Sequence, residues 1–391
     1  MKNVLLLALC QALAMTGLTI QGTTSGLIGQ SLAEDKSLAT LPLSLLMLAT
    51  TLTTIPASLL MKQLGRKSGF MMGVMIGFAG SILGVYAIVY GSFSLFCSAS
   101  FLFGIFNGCS GFYRFAAAEA TSKKLRAQAI SFVLAGGIIA ALVGPELATW
   151  SKDWFTPVLF AGSFVSIAVL QLIAAFLLLF VELPPLSKAE RRESGRPLIA
   201  IVQQPVFLAA VLSSTCGYAV MILIMTATPL AMIAFSHSFE DAAFVIQWHV
   251  FGMFAPSFFT GFLIIRFGIL NIILWGIVLN LLCTLINLLN TNIVNFTVAL
   301  LMLGVGWNFM FIASTTLLTE ACNPAEKAKT QATQDFIMFC FVTFVTFLSG
   351  HLLHNFGWKT INYSVIPALL MAIAVNRWLH KHLESSTLPN R

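Results

Sequence analysis

Apolar residues in this chain fall in long blocks, each about 20 residues or more, separated by short polar clusters. Within a block the polar positions show no period of two. About 20 apolar residues in an α-helix span the hydrocarbon core of a bilayer, whereas barrel strands are roughly half that length and alternate in polarity. In lipid no water satisfies the backbone, so each N–H and C=O must bond within its own helix. The pattern predicts an all-α membrane protein with twelve transmembrane helices, over 4–30, 38–64, 69–89, 92–118, 127–150, 156–181, 206–235, 241–265, 269–289, 292–318, 330–353 and 359–379. The first block is too long for a signal peptide and lacks a cleavage site, so it is read as the first span.

Composition supports the same solvent. Hydrophobic residues are 58% of the 391 and charged residues 9%, with a mean hydropathy of +0.92. A soluble domain carries about 25% charged residues. The few charges also orient the chain. With a cytoplasmic N-terminus, seventeen of the 21 Lys and Arg lie on the cytoplasmic side and three, Lys36, Lys152 and Lys359, lie outside. Cytoplasmic loops of membrane proteins carry this excess. The remaining one, Arg114, sits inside a span. A bacterial inner-membrane protein with both termini cytoplasmic is expected, and its net charge of +7 belongs to the loops, implying no nucleic-acid partner. The seven cysteines are odd in number and fall almost wholly within spans, so neither disulfides nor a metal site is expected. No cofactor is implied.

The longest polar break, VELPPLSKAERRESGRPL at 181–198, divides the spans six and six. It predicts an N-terminal six-helix bundle over 1–182, a cytoplasmic linker over 183–198 and a C-terminal six-helix bundle over 199–391. The halves echo one another. LLMKQLGRKSGF (59–70) has its counterpart in FLIIRFGILNII (262–273), with Gly65 and Gly268 203 residues apart. Asn107 and Asn308 are 201 apart, as are Glu119 and Glu320. Such a duplication is characteristic of secondary transporters. There is no GxxxxGK[ST] loop to bind a nucleotide, so a gradient must supply any energy.

These residues resemble the major facilitator superfamily (MFS). GRK at 65–67 matches the end of its loop motif G-x-L-a-D-r-x-G-r-k after span two, with Lys62 where the aspartate is usual. SFLFGIFNG (100–108) is similar to the fourth-span motif, with Ser100 in the arginine slot, and LVGPEL (142–147) holds the Gly-Pro core of the fifth-span antiporter motif. YRFAAAEA, VIQWHVFGMFAPSFFTG and GWNFMF resemble a bacterial subgroup with no assigned substrate. The resemblance implies two pseudo-symmetric six-helix bundles around a central cavity, alternating access, and coupling to an ion gradient. It also implies a cytoplasmic gate between loop cations and acids ending spans four and ten: Arg66 and Lys67 with Glu119, and Arg266 with Glu320.

The candidate chemistry is sparse. Arg114 follows Ser100 by fourteen residues, nearly four helical turns, so it lies near the cavity-facing side. It either snorkels to the interface or pairs with Glu119, or it attracts an anion at the inner mouth; Tyr113 could support either role. Proton coupling needs a titratable group within a span, and Asp335, His249 and Glu146 are the candidates, each with an ordinary core or capping alternative. Gln21, Tyr218, Gln247, Trp248 and Trp307 are candidate recognition groups, as are Asn107 and Asn308, which could equally bridge helices. The expected function is secondary transport of a small-molecule substrate by a monomer in the lipid bilayer, driven by the proton gradient. Uptake of an anionic metabolite or metal-chelating carboxylate is favoured by Arg114, export of lipophilic drugs by the fifth-span Gly-Pro. A non-transporting membrane sensor is the rival class. No Ser/His/Asp or metal constellation suggests an enzyme.

Overall fold

The computed structural model describes residues 2–121, 129, 132–133, 135–183, 196–322 and 326–387; of Lys62, Ala118, Glu119, Glu320, Lys327, Ala328 and 384–387 it describes the backbone alone. Span 1 is Lys2–Leu32, span 2 Leu41–Leu64, span 3 Arg66–Val89, span 6 Ala161–Leu179, span 7 Pro205–Ala234, span 9 Ile269–Leu289 and span 10 Ile293–Glu320. Span 4 is broken into Phe93–Ser110 and Tyr113–Glu119, and span 8 into Phe239–Phe254 and Ser257–Phe267, which meet at 45°. Pro256 lies in the second break, where its missing N–H and ring would interrupt a continuous helix. Lys327–Thr387 carries spans 11 and 12 as two helices that meet at Gly357, whose φ is 77°. Among the described residues ten helices or bent pairs are long and apolar enough to cross a membrane. Counting Lys327–Thr387 twice, and adding Gly136–Ser151 as span 5, gives the expected twelve. The expected linker falls almost wholly outside the described residues, as does the start of span 5.

Local chemistry sets the helix starts. Ser238 and Asp241 form a reciprocal capping box at the head of span 8. Ser92 and Asn292 cap spans 4 and 10 with their side-chain oxygens. Small residues set the helix packing. A Cβ on Gly108 would lie 2.9 Å from Thr53 Cβ and 3.0 Å from the Thr50 carbonyl, so glycine there lets span 4 approach span 2. Gly304 allows the same approach between spans 10 and 8, where a Cβ would lie 2.9 Å from the Met253 nitrogen.

Within the first six spans, 1 packs on 5 and 6, 3 on 4 and 6, and 2 on 4; within the last six, 7 and 9 pack on 10 and on the spans 11–12 helix, and 8 on 10. The two bundles meet where span 5 faces span 8, span 2 faces span 11 and span 1 faces span 7. The described hydrogen bonds joining the bundles lie towards the end remote from the termini. There Thr40 Oγ1 donates to the Phe347 carbonyl at 3.2 Å and accepts from the Gly350 N–H at 3.1 Å. Ser44 Oγ donates to the Thr343 carbonyl at 2.9 Å, Gln247 Nε2 donates to the Leu142 carbonyl at 3.3 Å, and Lys152 bonds Glu240. This end of the molecule is therefore closed.

Candidate functional site

Aromatic rings collect on the C-terminal bundle, towards the interface with the N-terminal one. Trp307 and Phe311, four residues apart on span 10, share one helix face and stack at 5.0 Å with an interplanar angle of 10°. Tyr218 of span 7 stands edge-on to Trp307 at 5.5 Å, to Phe311 at 6.1 Å and to Phe339 of span 11 at 5.7 Å. Phe254, at the break of span 8, lies 6.4 Å from Trp307. Its ring also touches the N-terminal bundle: a Cβ on Gly137 of span 5 would come within 2.8 Å of it. Tyr218, Phe254, Phe311 and Phe339 are half-buried, and Trp307 is buried with its Nε1 unpartnered.

Two opposite charges adjoin this cluster. Asp335 stands one turn before Phe339, so it lies on the same face of span 11. Its charge acts on Tyr218 and on Arg114 of the opposite bundle. Arg114 follows the break of span 4. Its Nε is buried without a hydrogen-bond partner, and its guanidinium carbon lies 4.8 Å from the Phe115 ring centre. The two residues, from opposite bundles, are near enough for their charges to interact but form no ion pair of bonding length. The structure brings together Arg114, Asp335, Tyr218 and Trp307 of the sequence candidates. Gln21 of span 1 is buried with an unpartnered Oε1, one residue before Gly22, which abuts Met225 of span 7.

The other candidates lie elsewhere. Tyr113 is buried in the N-terminal bundle against Phe70, ring centres 4.6 Å apart. Asn107 bridges spans 4 and 2, donating to Thr50 Oγ1 at 3.2 Å. Asn308 holds the broken span 8: its Nδ2 donates to the Met253 carbonyl and to Ser257 Oγ, each at 2.7 Å, and its Oδ1 accepts from Thr260 Oγ1 at 2.8 Å. Trp248 is on the exposed surface, edge-on to Phe244 and Phe251. His249 is fully buried between spans 8 and 10, where its Nδ1 bonds the Leu300 carbonyl at 2.8 Å. A carbonyl only accepts, so Nδ1 carries a proton, and Nε2 has no partner. Glu146 belongs to an exposed stripe with Leu142, Val143 and Trp150.

Of the gate candidates, Lys67 donates to the Leu179 carbonyl at 2.7 Å, tying the head of span 3 to the end of span 6. The Arg266 guanidinium carbon lies 5.3 Å from the Phe267 ring centre. The side chains of Glu119 and Glu320 lie outside the described residues. At the far end the hydrogen bond from Lys152 holds the Glu240 carboxyl below its ordinary range.

Sequence reasoning passed over Phe254, Phe311 and Phe339, three among 34 phenylalanines. The four-residue spacings Trp307–Phe311 and Asp335–Phe339 were the available signal, since each pairs a polar or amphipathic group with a ring on one helix face.

A multi-pass helical membrane protein with two six-span bundles, closed at one end and lined at their interface by rings and opposed charges, has the form of an alternating-access transporter. The sequence model of the Major Facilitator Superfamily matches residues 7–332, and the chain belongs to that family. It is a transporter and not an enzyme. It is 41% identical over 374 residues to the riboflavin transporter RfnT of Brucella anthropi, covering 95% of this chain and 94% of that one. It is also 24% identical over 401 residues to the uncharacterized MFS-type transporter YddS of Bacillus subtilis, covering 98% and 92%. A crystal structure of a bacterial homologue of the human lysosomal transporter Spinster, inward-facing and occupied, superposes with a TM-score of 0.72 at 16% identity, over 97% of this chain and 96% of that one; at that identity the likeness is one of fold.

Proposed function

We propose that the protein takes up riboflavin, or a neutral planar heteroaromatic of the same shape, across the bacterial inner membrane. The observation that carries this reading is the cluster of Tyr218, Trp307, Phe311, Phe339 and Phe254 at the bundle interface. Flat ring systems bind by stacking and edge contacts on such surfaces. Arg114 alone would favour an anionic metabolite or chelating carboxylate. With Asp335 acting on it, the two formal charges offset, which suits a neutral solute. The similarity to a riboflavin transporter over nearly the whole chain supports the same substrate class.

The proton gradient drives the cycle, and Asp335 is the coupling group. His249 has its Nδ1 committed to Leu300 and Glu146 is on an outward stripe, whereas Asp335 adjoins both the rings and Arg114. A proton on Asp335 removes the counter-charge from Arg114, whose unpartnered N–H then bonds an oxygen of the solute. Loss of that proton to the cytoplasm restores the charge pair and releases the solute. With both termini cytoplasmic, as the basic residues favour, the closed end is the outer one. The halves 1–182 and 199–391 rock as units, the Arg66/Glu119 and Arg266/Glu320 elements closing the cytoplasmic side in the opposite state. Expression in a bacterium that can neither make nor import riboflavin tests the reading. Growth on low external riboflavin is the expected result; no growth despite a folded protein in the membrane would refute it.

A further inference from the structure

We infer that Trp307 reads the substrate ring: its indole N–H donates to an acceptor atom on the ring edge, while the neighbouring aromatic side chains hold the ring faces. This rests on the riboflavin reading above and names the residue that gives that site its specificity.

The argument starts from an unmet group. Trp307 is 7% exposed, and its Nε1 has no hydrogen-bond partner. Buried indole N–H groups normally find an acceptor, because one left without a bond has lost water for nothing. The rings around Trp307 do not meet this need. Phe311 is stacked on it, and Phe254 and Tyr218 stand edge-on. Phenylalanine would bring a ring but no donor; the indole adds bulk and a fixed donor. The donor also sits where the bundles meet, since Phe254 beside Trp307 packs against Gly137 of the opposite bundle. The atom is enclosed in this state, so a solute between the bundles reaches it as the surrounding rings part to admit the ligand.

The chemistry required of the ligand follows. It is a planar ring whose rim carries a lone pair, as the ring nitrogens and carbonyl oxygens of a flavin do. A site built around a donor rejects a ring lacking the acceptor far better than an apolar pocket rejects an extra methylene. The ring, and not the polyhydroxyl chain, is therefore the identity element at Trp307.

The test is a fluorescence titration of purified protein with riboflavin and with lumiflavin, which keeps the ring and carries methyl in place of the ribityl chain. The parent should bind both. Trp307→Phe keeps a ring but removes the donor, and should weaken both about tenfold, the worth of one net hydrogen bond. Trp307→Leu, which carries no donor, serves if the phenylalanine variant does not fold. Parent-like affinity of the variant for both ligands overturns the inference. So does a loss confined to riboflavin, which would place the contact on the chain. A parent that binds neither ligand refutes the riboflavin reading itself.

Discussion

Gly65 and Gly268, 203 residues apart in the sequence, hold the same backbone conformation: φ 88° and ψ 151° at the first, φ 86° and ψ 151° at the second. Each turns the chain from one span into the next, between spans 2 and 3 and between spans 8 and 9. This region of backbone space is open to glycine almost alone. Nothing lies within 4 Å of a Cβ built at either position, so the requirement is conformational and not steric. The repeat seen in the sequence is thus a repeat of geometry.

Alanine at Gly65 or Gly268 should therefore cost about 1–3 kcal/mol each, and the double variant roughly the sum, because the sites are far apart. Thermal unfolding of the purified variants checks this. Melting temperatures equal to the parent's would show that the turns relax without strain.

Asn308 shows a polar residue in a span doing structural work. Its three hydrogen bonds bind the break of span 8 to span 10. Asn308→Ala should lower stability by about 1–2 kcal/mol, in line with interhelical hydrogen bonds in membranes, and leave the affinity of the folded fraction for substrate unchanged. Melting and titration of one preparation separate the two effects; weakened binding at parental stability would return Asn308 to the substrate site.

At the closed end, Lys152 and Glu240 join spans 5 and 8. Glu240 is half exposed, and such a pair contributes only about 0–1 kcal/mol, enough to bias two conformations close in energy. Its carboxyl is held below the ordinary range, so the contribution is full above about pH 4.3 and fades only as the pH falls through the lowered value. Glu240→Gln should raise the labelling of Ser44→Cys by an impermeant thiol reagent in a cysteine-free background. In the parent this labelling should stay flat between about pH 5 and 8. An increase in the parent across that window would mean that another group controls the closure.

The spans were legible because a bilayer leaves few options. The segments 206–235, 269–289 and 292–318 lie within two residues of the helices Pro205–Ala234, Ile269–Leu289 and Ile293–Glu320. The breaks were less legible. Spans 4 and 8 read as continuous apolar runs, yet each is two helices, and Pro256 was the signal for the second. The break expected between 353 and 359 falls at Gly357, whose φ of 77° and ψ of 177° are not helical. The site was the least legible part. Hydropathy does not distinguish a phenylalanine facing lipid from one facing a cavity, and the nearness of Arg114 to Asp335 links residues from opposite bundles, which no local pattern reveals. Polar type alone likewise could not separate Asn308, which bridges spans, from Tyr218, which belongs to the ring cluster.

Asp335→Asn isolates the coupling role. The variant should still exchange riboflavin across proteoliposome membranes but lose at least tenfold of the accumulation driven by an inward proton gradient, since no carboxylate remains to carry the proton. Full accumulation by this variant would move coupling to another group, with His249 and Glu146 next to be examined by the same assay.

The most direct measurement of the central claim is uptake of radiolabelled riboflavin by proteoliposomes containing the purified parent protein, with an imposed inward proton gradient. The account predicts uptake that saturates, exceeds that of protein-free vesicles, concentrates the vitamin above its external level, and falls when Tyr218→Ala and Phe339→Ala remove the ring surface. Uptake no greater than that of empty vesicles, by protein that is folded and correctly inserted, would contradict it.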